Sequence, residues 1–224
     1  MNFHFDDTVK RLGVNGAYFV IDGMKNCKSI REFDAIKELY LNTLNADSIS
    51  KKIEESEIVR GFRELHDKVN CRGKKYIASP ENLMSYFVSH RSLPSINLIV
   101  DIYNYISLRS ELAIGAHDTR DIKGDVHLRL TDGTEYFLPL GYSKPMPINR
   151  GEYCYIDDAN DVLCRLEVRQ VEKTKVLETT TSCFYIVQGN HCVPSSSIVS
   201  TAQELIELAM RFCGGTVTEL YFPR

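Results

Sequence analysis

Apolar and polar positions alternate along this chain in two distinct rhythms. Residues 14–22 (VNGAYFVID) form a short apolar run and predict an early strand. Between Arg31 and Asn45, Phe33, Ile36, Tyr40 and Leu44 recur at helical spacing. Ile58, Phe62, Leu65 and Val69 mark a second amphipathic helix. Ser79-Pro80-Glu81 reads as a helix start, with a capping serine and proline at the first helical position. Leu83, Phe87 and His90 continue that face. From Ala113 the rhythm shortens. Val126, Leu128 and Leu130 alternate with His127 and Arg129, and Thr131-Asp132-Gly133-Thr134 predicts a hairpin whose return strand carries Tyr136, Leu138 and Leu140. A turn at 157–161 separates strand-like text at 152–156 from 162–168. After a loop at 189–197, Leu205, Leu208 and Phe212 line a last helix over 201–212. Gly214-Gly215 ends it, and 217–222 can add a terminal strand. There is no internal repeat and no low-complexity tract.

The segment LPSINLIVDIYNYISL, residues 93–108, breaks the amphipathic pattern. Placed on a helix, Asn97, Asp101 and Asn104 share one narrow stripe, and almost every other position is large and apolar. A surface helix would show a broad polar face, so this one is expected in the core. Three buried polar side chains need partners, because an unpaired buried amide or carboxylate costs several kcal/mol. The stripe therefore either pins neighbouring loops or lines a pocket. The two roles can share residues, with Asp101 structural and Asn104 beside a ligand.

Bulk properties narrow the class. A length of 224 residues suits one domain, or one with an appended N-terminal region. No apolar stretch approaches the ~20 residues of a membrane helix, and the first ten residues lack the apolar core of a secretory signal. The net charge of −3 disfavours bulk electrostatic binding of nucleic acid, leaving brief contact with one defined RNA. The seven cysteines are odd in number and form no C-x-x-C pair, so a reducing cytoplasm is expected, with no disulfide framework and no zinc cage. His191-Cys192 is the one adjacent base and thiol, in a loop.

The run SINLIVDIYNYI at 95–106, followed by Gly115-Ala116-His117-Asp118, resembles the B3/4 domain of the phenylalanyl-tRNA synthetase β-subunit, and the whole chain is similar to free-standing versions of that domain. VNGAYFVIDGMKN (14–26), SPENL (79–83), RLTDGTEYFLPLG (129–141) and GEYCYIDD (151–158) support the resemblance, which spans 60–215 with 1–59 packed on as an N-terminal strand and helix. The resemblance implies an α+β fold, a layered sheet-and-helix domain enclosing a pocket. In the synthetase that pocket hydrolyses tyrosine wrongly attached to phenylalanine tRNA, so a mischarged tRNA or an amino-acid-like small molecule is the implied partner. Membrane, DNA, metal and other cofactors are not. The chain has no P-loop, G-x-G-x-x-G or H-E-x-x-H, and is too short for a whole synthetase.

Carried over residue by residue, Asn97, Asp101, Asn104 and Asp118 stand where the family motif has its own residues. Gly115 takes the place of the family's pocket histidine, with His117 two positions later. Glu172 corresponds to the family glutamate, although the family's glycine-rich segment reads LEVRQVE at 166–172 here, without glycine. The resemblance thus makes Asn104, His117 and Glu172 the catalytic candidates. Asn97, Asp101, Gly115, Asp118, Arg165 and Arg169 become substrate-binding candidates, the two arginines sharing a strand and reaching for the adenosine end of a tRNA. Three functions stay open: an aminoacyl-tRNA hydrolase acting in trans, a non-catalytic module binding an amino acid, aminoacyl ester or tRNA end, and an interaction domain with a vestigial pocket.

Overall fold

The computed structural model describes residues 1–223. In chain order the elements are β1 (Phe3–Phe5), α1 (Asp7–Leu12), β2 (Asn15–Asp22), α2 (Arg31–Leu41), α3 (Ala46–Glu55), α4 (Glu57–Lys68), α5 (Ser79–His90), α6 (Leu98–Ser110), β3 (Ala113–Asp118) and β4 (Val126–Leu130). They continue with β5 (Tyr153–Asp157), β6 (Val162–Arg165), β7 (Arg169–Gln170), β8 (Ser182–Gly189), α7 (Ser195–Cys213) and β9 (Thr216–Tyr221). No helix among the described residues is long and apolar enough to cross a membrane.

The fold is α+β, with two sheets. One runs β1-β4-β5-β6-β7 and the other β3-β8-β2-β9. Strand alternation makes the four-stranded sheet a middle layer. Ala17, Phe19 and Ile21 of β2, with Cys183, Tyr185 and Val187 of β8, pack against α5, α6 and α7. Their neighbours Tyr18, Phe184 and Ile186 face the other way, onto Val126, Leu128, Tyr153 and Tyr155 of the five-stranded sheet. The N-terminal region is more than an addition to the core, because β2 is an inner strand held antiparallel by β8 and β9.

Three sequence expectations change. The 126–140 hairpin does not form. Its turn closes on itself instead: Glu135 accepts hydrogen bonds from Asp132 N and Gly133 N, each at 2.9 Å, and from Arg129 at 2.7 Å. The edges of β4 are taken by β1 (parallel) and β5 (antiparallel). The 131–150 segment lies across the outer face of the sheet, where Phe137 and Ile148 cover Cys154, Ile156 and Val162. The inward residue is therefore Phe137, at 2% exposure, while Tyr136 stands 49% exposed.

The strand expected over 162–168 breaks at Leu166, a buried residue at φ 53°. Leucine rarely adopts that left-handed backbone. Arg165 and Arg169 consequently lie on two paired strands and not along one. Finally, α5 is preceded by Ala78 as its cap, and no side chain caps it. The Ser79 hydroxyl is left for another use.

The helix predicted over 93–108 is α6, buried nearly all round. Asn97 lies just outside it as its cap, in extended backbone. Its Oδ1 accepts from Val100 N at 3.2 Å and its Nδ2 donates to Val176 O at 3.0 Å. Asp101 accepts from Lys37 of α2 and from Ile96 N, both at 2.9 Å. Both side chains thus pin loops to α6. One turn further along, Asn104 has no such partner and opens on a cavity.

Candidate functional site

A cavity of about 170 Å³ lies between the two sheets, where β3 edges the four-stranded sheet and the β6–β7 hairpin curls over it. Its walls are largely apolar: Tyr103 from α6, Ala113 and Ile114 from β3, Ile186 from β8, and Cys164, Leu166 and Val168 from the hairpin. This is smaller than the ~300–1,000 Å³ of drug-sized sites, so it suits one amino-acid-sized group.

Two sets of polar side chains line it. The first is bonded within the protein. Glu167 comes directly after the left-handed Leu166, which turns the chain so that the carboxylate points inward. Its Oε2 accepts from Tyr153 Oη at 2.7 Å and from Gln188 Nε2 at 2.8 Å, and Tyr155 donates to Gln188 Oε1 at 2.6 Å. Its Oε1 meets His66 Nε2. His66 Nδ1 lies 2.8 Å from the Tyr76 carbonyl, which can only accept, so that nitrogen carries a proton. Burial opposes a charge on His66, but the Glu167 carboxylate outweighs it and raises the pKa above its ordinary value. Burial, then the same carboxylate, pushes the Tyr153 hydroxyl far up.

The second set is unbonded. Ser79 Oγ, the Asn104 and Gln170 amides and the Arg169 guanidinium line the cavity and take no hydrogen-bond partner among the described residues. Arg169 only rests over the Tyr142 ring, 5.8 Å from its centre. Ser79, Asn104 and Gln170 are half-buried and Arg169 is exposed, so all four are free to hydrogen-bond a group that enters the hollow. Gly115 makes the space: a β-carbon there would come within 2.6 Å of Gln170 Nε2.

The structure brings Asn104, Gly115 and Arg169 together here and places the other sequence candidates elsewhere. His117 is 1% exposed, with Nδ1 held 2.8 Å from Thr174 Oγ1 and Nε2 unpartnered. Burial drives its pKa down to about 3, so it is a neutral packed ring outside the cavity. Glu172 accepts from Gly141 N at 2.9 Å and pairs with Lys175 on the surface. Asp118 caps the turn at Thr119–Asp121, accepts from Thr180 Oγ1 at 2.6 Å and forks onto Arg120. Arg165 is locked onto Glu152 and Tyr76 and faces a neighbouring groove. Asn97 and Asp101 serve the loops around α6. The adjacent His191 and Cys192 form no catalytic pair, because His191 bonds Glu64 at 3.0 Å and burial raises the Cys192 thiol.

Sequence reasoning missed Glu167, Gln170, Gln188 and Ser79. The available signal was the acid in Leu166-Glu167-Val168, a carboxylate flanked by buried apolar residues, where a charge stays only if it is paired.

No curated protein matches the chain. Among solved structures it is similar to an N-terminal fragment of the phenylalanyl-tRNA synthetase β-subunit from Pyrococcus horikoshii, at 17% identity and a TM-score of 0.52. The match covers 96% of this chain and 50% of that one, so the chain spans half the length of the fragment, and the likeness concerns the fold. The B3/4 domain model matches residues 68–213, well over half of the sequence and including α6, β3 and the β6–β7 hairpin. The chain belongs to the B3/4 domain family.

Proposed function

We propose that this protein takes the aminoacyl end of a mischarged tRNA into the cavity and hydrolyses the ester, acting in trans. The observation that carries the reading is the ring of unpartnered donors, Ser79, Asn104, Arg169 and Gln170, around an apolar hollow of amino-acid size. An aminoacyl ester is already labile. Its hydrolysis asks chiefly for a positioned water and for donors aimed where negative charge develops on the carbonyl oxygen. Amides and a guanidinium supply such donors, and the apolar walls take a side chain. Family membership and the likeness to a synthetase subunit favour this substrate class, although fold alone does not carry activity.

A second reading, binding without hydrolysis, is favoured by one specific observation. The carboxylate in the cavity already accepts from Tyr153, Gln188 and His66, so most of its lone pairs are occupied before a water could present a proton to it. The experiment incubates the protein with a panel of mischarged tRNAs in the presence of a chelator, alongside Asn104→Ala. Release of an amino acid that persists with chelator and falls at least tenfold in the variant is expected. Binding of an aminoacyl ester analogue without release from any member would establish the second reading. Neither release nor binding would leave an interaction domain.

A further inference from the structure

The cavity is polarised in a way that the ester reading does not require. Among the described residues that line it, Glu167 is the only acid and Arg169 the only cation, two residues apart on one hairpin. Every unbonded group at the rim can donate: Arg169, Ser79 and the amides of Asn104 and Gln170. Glu167 can only accept.

Its acceptor capacity is not exhausted. A carboxylate offers about four lone-pair sites. Oε2 takes Tyr153 Oη and Gln188 Nε2, while Oε1 takes His66 alone. One site on Oε1 remains, on a side chain 4% exposed that borders the cavity. The geometry of Oε1 is fixed from behind. His66 is tied through Nδ1 to the Tyr76 carbonyl at 2.8 Å, so the ring cannot rotate without losing that bond.

An α-aminoacyl group carries a donor and an acceptor on neighbouring atoms, its ammonium and its carbonyl oxygen. The hairpin presents the complementary pair, a fixed acceptor at 167 and donors at 169 and 170. We propose that Glu167 is the cavity's receptor for a primary ammonium group, that His66 is the positioning residue behind it, and that the cavity therefore selects α-amino acyl groups over their deaminated counterparts. This rests on the reading of the cavity as an aminoacyl site and adds how the amine is recognised. The carbonyl then faces Arg169 and Gln170, and the side chain lies along Ile114 and Ile186.

Calorimetry with non-hydrolysable probes tests this. L-phenylalaninamide, L-tyrosinamide and L-leucinamide are compared with 3-phenylpropanamide, 3-(4-hydroxyphenyl)propanamide and 4-methylpentanamide, which lack only the amine. A charge-assisted hydrogen bond predicts at least a ~tenfold preference for the amine-bearing member of the pair that binds. The preference should vanish in Glu167→Gln. In His66→Asn it should shrink, whereas a merely structural histidine would lower both members of the pair equally. The wild-type comparison stands even where a variant fails to fold. Equal affinity for both members overturns the ammonium proposal and leaves the aminoacyl cavity intact, as does a preference that survives in a folded Glu167→Gln. No binding of any probe counts against the proposal. With no release in the mischarged-tRNA panel as well, it removes the aminoacyl reading too.

Discussion

His117 should make the protein acid-sensitive well above the pH at which its carboxylates titrate. The ring is buried, its Nε2 has no partner and its pKa lies at about 3, against an ordinary 6.5. Folding therefore holds the neutral form, and the unfolded chain binds the proton first. The contribution is fully present above 6.5 and is lost as pH falls from there towards the folded value. At 1.36 kcal/mol per pH unit the full window is worth roughly 5 kcal/mol, and at pH 5 roughly 2 kcal/mol is already gone. His66 works in the opposite direction. Its pKa is raised, so its contribution is complete below 6.5 and declines as pH rises through the folded value. Stability should thus peak near pH 6.5. Urea unfolding at pH 7 and pH 5 is compared between wild type and His117→Leu, which forfeits the Thr174 hydrogen bond, worth about 1 kcal/mol, and the stacking on Phe184 at both pH values alike. Wild type should lose about 2 kcal/mol more than the variant between the two pH values. Equal losses in the two proteins would refute the assignment of a neutral, buried His117.

Asp101→Ala should destabilise by about 3 kcal/mol, the low end for breaking a buried ion pair, because Asp34 still faces Lys37 at 3.2 Å. The double variant Lys37→Met/Asp101→Leu should recover most of that loss in denaturant unfolding. Gly115→Ala places a β-carbon on the flexible tip of Gln170, so unfolding should change by less than ~1 kcal/mol while release from mischarged tRNA, or probe binding, falls at least tenfold. Asn104→Ala should leave the unfolding midpoint within ~0.5 kcal/mol of wild type, since the amide has no internal partner, and should be visible only in the hydrolysis or binding assay.

Much of the layered architecture is legible in the sequence because periodicity reports burial. The even, apolar text of 98–108 could only be a core helix, and 14–22 only a well-covered strand. The hairpin expected at 126–140 fails because turn chemistry fixes a turn without fixing the partner of the next segment. Asp132-Gly133 does make a tight turn, yet Glu135 seals it with its own carboxylate, β1 and β5 take both edges of β4, and Phe137 and Ile148 pack on the outer sheet face.

The site is harder to read for a related reason. Sequence spacing says which polar residues share a face, and depth along that face then decides their roles. Asp101 and Asn104 share a face of α6 and Asn97 caps it. Asn97 and Asp101 meet partners from other elements, while Asn104 meets a cavity roofed by the hairpin. Leu166 in the left-handed region bends that hairpin, and glycine is absent from 166–172, where such backbone would most easily be recognised. The bend turns Glu167 inward and leaves Glu172 against Lys175 on the surface. Of two glutamates five positions apart, the one singled out from the sequence lies on the surface and the one passed over lines the cavity. If the cavity acts on an aminoacyl group, the carboxylate that meets it comes from the strained turn of the hairpin, and a Glu172→Gln variant should bind and hydrolyse as wild type does.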